Sequence, residues 1–136
     1  MDILYAEKLL DILIDNSSRI LRAGFGINYA ESALFAVIAL LKENPSLKDY
    51  FLSLILQAFR VDDPGSLREG TVSVELIELV AHELRWDEIR LIAEDRVRKV
   101  FSGDYNRAIG DISKRIIEAF DDDWSDREFY KHYQSN

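Results

Sequence analysis

Residues 29–41 read Tyr-Ala-Glu-Ser-Ala-Leu-Phe-Ala-Val-Ile-Ala-Leu-Leu, with no polar side chain from Ala33 onward. An apolar run of this kind suits a buried strand or a buried helix. The alanines at 30, 33, 36 and 39 decide for helix, because alanine has the best intrinsic helix propensity. The flanks agree: Asn28 suits an N-cap, and Glu31 stands where a capping box places its acid. Lys42-Glu43-Asn44-Pro45 then stops the helix. The run falls short of the roughly 20 apolar residues a membrane span needs. A helix apolar on every face must be surrounded by other elements. The stretch therefore predicts the central helix of an all-helical domain.

Upstream, Ile3, Ala6, Leu10, Leu13 and Ile20 recur at spacings of three, four and seven, a helical period. Asp15-Asn16-Ser17-Ser18 competes for backbone hydrogen bonds and is a candidate break. Gly24-Phe25-Gly26 ends this first element and lacks the third glycine of a dinucleotide fingerprint, where Tyr29 stands. Downstream, Pro45 opens a helix carrying Tyr50, Phe51, Leu54, Ile55, Ala58 and Phe59. Its short connection predicts an antiparallel hairpin with the central helix. Residues 60–71, with the turn dipeptide Pro64-Gly65, form the long loop and the expected proteolysis site.

Beyond the loop, a helix over about 73–85 carries Glu75, Glu78, His82 and Arg85 as one polar stripe, read as solvated. Asp87 is the expected cap of the next helix, with Trp86 and Leu91 as a hydrophobic staple. That helix is expected to bury Ile89, Ile92, Ala93, Val97 and Val100, and Gly103 ends it. A further helix over about 105–120 is expected to bury Ile109, Ile112, Ile116 and Phe120. Ser125-Asp126-Arg127-Glu128 reads as a capping box, with Trp124 and Phe129 stapled around a short C-terminal helix. Ile55–Phe59 resembles Ile116–Phe120, which raises an internal duplication at a spacing of about sixty residues. The expected architecture is all-α: a single-domain helical bundle or short α-solenoid of six to seven helices. Its helical halves span about 2–59 and 72–136, as two stacked three-helix units if the duplication is real.

A chain of 136 residues can bury a real core, and a 48% hydrophobic content excludes a disordered chain. The net charge of −8 argues against binding nucleic acid or anionic membrane and suits a basic protein partner. With no cysteine, disulfides, zinc–thiolate sites and thiol catalysis are excluded. The N-terminal residues lack a basic region followed by an apolar stretch, so a cytoplasmic location is the expectation.

Three constellations hold chemical groups. Glu78, His82 and Glu83, with Arg85, form the first. Glu78 precedes His82 by four positions rather than the three of a di-iron bundle, and position 86 is Trp where a zinc protease has its second histidine. Asp121, Asp122 and Asp123, with Asp126, concentrate negative charge without a calcium loop's glycine, so they are read as a docking site with Trp124 and Tyr130. The basic residues Arg90, Arg96, Arg98 and Lys99 alternate with acids and are expected to pair locally. No catalytic residue, resident metal or cofactor is assigned.

The expected function is a non-enzymatic acidic helical protein acting through protein–protein contact, as an adaptor, regulator or inhibitor of a basic partner. In bulk, acidic helical immunity proteins look similar, although no motif here matches one. The alternatives are a metal-dependent enzyme or metal-binding protein using Glu78, His82 and Glu83, and a homo-oligomeric structural protein, the homodimer being its simplest form.

Overall fold

In a computed structural model, residues 2–59 and 72–134 are described. They form six α-helices and no strand: α1 (Ile3–Arg22), α2 (Ile27–Glu43), α3 (Lys48–Ala58), α4 (Val74–Leu84), α5 (Asp87–Phe101) and α6 (Ile112–Glu118). Three 3-10 turns accompany them, at Pro45–Leu47, Ser125–Phe129 and Lys131–Tyr133. The expected long loop at 60–71 lies outside the described residues. No described helix is long and apolar enough to cross a membrane. The architecture is a small helical bundle.

Helix α1 runs unbroken through 15–18. Ser17 donates its hydroxyl to the Ile14 carbonyl at 2.9 Å inside the helix, and Arg19 donates to Asp15 at 2.8 Å outside it. These bonds satisfy the polar groups without diverting the backbone. At its end Gly24, with φ of 91°, takes the left-handed turn that glycine adopts without strain.

Helix α2 starts two residues before the expected N-terminus. Extended Gly26 is its N-cap, accepting from the amides of Tyr29 and Ala30, so Asn28 and Glu31 make no capping box. Nor is α2 enclosed on all sides, since Tyr29, Ser32 and Ala39 face solvent. The backbone neighbours packed most closely are α1 with α2 and α5 with α6. The 3-10 turn at Pro45–Leu47 stands between α2 and α3, whose backbones make few close contacts with each other, so the expected hairpin is not a tight one. Helix α3 packs towards α5, and Tyr50 donates its hydroxyl to Asp11 of α1 at 2.8 Å.

The helix enclosed on every face is α4, which lies against both α2 and α6. From Leu76 to Ala81 no residue is more than 2% exposed. Ser73 caps it, accepting from the Leu76 amide at 3.2 Å.

The second half departs from expectation at helix ends. Helix α5 has Trp86 as N-cap without a side-chain bond. Trp86 packs edge-on to Phe51 at 6.2 Å, while Leu91 and Val100 are exposed, so no staple forms. Helix α6 is short: residues 105–110 are turns, Gly110 has φ of 89°, and Ile109 is exposed. The helix begins where Asp111 accepts from the Ser113 amide at 3.0 Å and receives Arg96 Nε and Nη2 at 2.9 and 3.0 Å. Burial would raise the Asp111 pKa, but the bonds from Arg96 and Ser113 outweigh it and hold it below the usual range.

Leu79→Ala in α4 should cost about 2–5 kcal/mol in urea unfolding, whereas Leu91→Ala should cost within about 0.5 kcal/mol. Equal effects would contradict this assignment of the core.

Candidate functional site

The middle of the polar edge of α4 is buried, contrary to its reading as a solvated stripe, whereas Glu75 is half-buried and Arg85 exposed. Glu78 is 2% and His82 6% exposed, because α6 and the strap at 119–134 close over them. A buried polar group costs free energy unless it is bonded, and the strap supplies partners.

His82 Nδ1 lies 2.8 Å from the Ala119 carbonyl. A carbonyl only accepts, so Nδ1 carries the proton of a neutral imidazole. Burial lowers the His82 pKa, and the charges of Arg85 and Arg127 add to that. Its ring lies against Trp124 at 5.0 Å and edge-on to Tyr133 at 5.4 Å. Arg85, at φ of 55°, ends α4 in the left-handed conformation. Its guanidinium donates to three oxygens: the His82 carbonyl at 2.6 Å, the Phe120 carbonyl at 2.5 Å and Asp122 Oδ1 at 3.2 Å. One side chain thus fastens the end of α4 to the start of the strap.

Glu78 Oε1 stands 2.6 Å from Arg115 Nη2, a close contact poorly aligned for a hydrogen bond. Burial pushes the Glu78 pKa up to about 8; Arg115 opposes this, while Asp126 and Glu75 reinforce it. At neutral pH Glu78 is therefore mostly a neutral acid, with the Asp126 side chain beside it. Glu83 turns away from both, 3.6 Å from His132 Nε2 and 3.8 Å from Lys42 Nζ. Glu78, His82, Glu83 and Arg85 thus share one helix but engage different partners. Among the described residues no group of three or more His, Asp or Glu is arranged to hold a metal ion.

The far end of the strap is held by α2. Glu31 accepts the amides of Lys131 at 2.8 Å and His132 at 3.1 Å, so the expected helix cap instead caps a turn one hundred residues away. Phe35 stacks on His132 at 4.3 Å and meets Tyr130 edge-on at 6.0 Å. Arg127 lies over the Tyr133 ring at 4.9 Å and donates to the Asp122 carbonyl at 2.7 Å. Sequence reading missed Phe35 and Arg127. Phe35 lay hidden in an apolar run, and only the folded strap gives either its role.

The strap is not the expected capped α-helix. It is a succession of 3-10 turns in which Ser125 makes no cap bond. Of the six residues expected to meet a partner, Trp124 and Tyr130 are 5% and 1% exposed and belong to the core. Asp126 is half-buried and turned to Glu78. Asp121, Asp122 and Asp123 remain exposed. Of the three, Asp123 lines an open groove, together with Ser125, Arg127, Glu128 and Gln134. The basic residues of α5 pair as expected in part: Arg90 with Asp87, and Arg98 and Lys99 with Asp95, whereas Arg96 reaches across to Asp111. Compared with known protein families, curated proteins and solved structures, the chain gives no match.

Glu78 keeps its proton in the fold up to about 8 but releases it near 4.5 once unfolded. Its stabilising contribution is therefore complete below the unfolded value and is lost as pH rises through the folded one. From pH 6.5 to 9 this amounts to about 2 kcal/mol, and above about pH 7.5 His82 is neutral in both states and adds nothing to the slope. Glu78→Gln should flatten that slope in urea melts; an unchanged slope would contradict the buried neutral acid. His82 has the opposite sign, its contribution being lost as pH falls below about 6.5.

Proposed function

We propose that this chain is a non-enzymatic acidic helical protein that acts by binding a basic protein partner. The observation that carries the reading is the division between inside and surface. The groups able to do chemistry, Glu78, His82 and Arg85, are spent on holding α4 to α6 and the strap. The carboxylates of Asp121, Asp122 and Asp123 stay at the surface, Asp123 in the lining of a groove. With a net charge of −8, the field around them attracts a cationic surface and speeds its encounter.

Asp122 is tied to Arg85, which leaves Asp121 and Asp123 as the positions to change without loosening the strap. Capture from native cell extract should yield a stoichiometric basic protein that is lost at high salt. The pair Asp121→Asn and Asp123→Asn should weaken its retention about tenfold. A partner held equally by the variant, or indifferent to salt, would contradict this reading.

A further inference from the structure

The outer face of α1 has a pattern that neither the core nor the strap uses. Ile12, Leu4 and Tyr5 are 65%, 64% and 61% exposed on a helix whose opposite side carries buried Ala6, Leu10, Ile14 and Ser17. At 100° per residue, the face centred on Ile12 holds Tyr5 and Arg19 close to its midline, and Lys8 and Asp15 on one flank. Heights along the axis are almost symmetrical about Ile12. Lys8 lies about 6 Å before it and Asp15 about 4.5 Å after it, while Tyr5 and Arg19 lie about 10.5 Å to either side.

That arrangement is complementary to itself under one operation. A two-fold axis passing through Ile12, perpendicular to the helix and parallel to its exposed face, brings an antiparallel copy into contact. Ile12 then meets Ile12, each Lys8 meets the Asp15 of the other copy, and each Tyr5 ring meets an Arg19 guanidinium that also bonds Asp15 of its own helix at 2.8 Å. A parallel two-fold pairing would instead carry Lys8 and Asp15 of the two copies to opposite sides of the seam, where neither finds an opposite charge. A two-fold interface requires such self-complementarity, with each residue finding its counterpart twice. We propose that the exposed face of α1 is a homodimer contact in which two copies of this chain pair antiparallel about Ile12. The contact lies apart from the acidic run at 121–123 and does not depend on the binding proposed there. One helix face per copy buries less than the 1,200–2,000 Å² typical of stable complexes, so the association is weak and reversible.

Sedimentation equilibrium of the full chain at physiological salt, from about 10 μM to about 1 mM, should show the average mass rising towards a dimer. Lys8→Asp and Asp15→Lys should each weaken association about tenfold by opposing like charges. An equimolar mixture of the two variants should restore it, because every 8–15 contact then joins opposite charges. Circular dichroism checks that both variants fold, and these exposed positions predict that they do. A wild-type chain monomeric throughout, single variants that associate unchanged, or a mixture no stronger than its components would each overturn the proposal.

Discussion

A polar edge buried in the middle of the bundle constrains the rest of the structure. Helix α4 is enclosed on all sides yet carries Glu78 and His82 in its core. An unsatisfied buried donor or acceptor costs about 1–3 kcal/mol. The neighbouring backbone of α4 cannot supply partners for these side chains, because its own groups are bonded within the helix. They come from residues 115–126: Arg115 and Asp126 beside Glu78, and the Ala119 carbonyl at His82, while Arg85 adds its bonds to the Phe120 carbonyl and Asp122. The strap therefore closes over α4 as part of the core, and Trp124 and Tyr130 go inside with it. Its far end is fixed by Glu31 and Phe35, which joins the N-terminal helices to the last turn of the chain.

The helical class was legible in the sequence because apolar spacing reports one face of a helix whatever covers that face. The choice of central helix was not. Residues 33–41 are apolar throughout, but alanine tolerates solvent, and Ala39 faces it. In α4 the series Glu78, His82 and Arg85 has the spacing of a solvent stripe and of a buried polar seam alike. What separates the two is the set of partners, and these lie 35–37 residues away in sequence. No local pattern records such contacts. The capping boxes failed for a related reason: Glu31 and Ser125 had the right neighbours, but tertiary bonds or tight turns claimed the backbone first.

The same logic redistributes the candidate site. Two aromatic residues beside acids suggested partner anchors, yet their rings are packed on His82, Phe35 and one another. The surface keeps two features that the core does not consume. One is the exposed carboxylates at 121–123, suited to a cationic protein surface. The other is the apolar face of α1, flanked by charges of both signs. The interior polar groups serve to hold the chain together, and the recognition we propose falls to groups that the fold leaves exposed.

The claim on which this account rests is that the strap belongs to the cooperative core. Native-state hydrogen exchange at the Lys131 and His132 amides tests it most directly, since both bond to Glu31 of α2 and neither belongs to an α-helix itself. If the strap is integral, these amides exchange only at the free energy of global unfolding, together with those of α4. Exchange at the rate of an unstructured peptide, with α4 still protected, would show a strap that frays independently and would contradict the account.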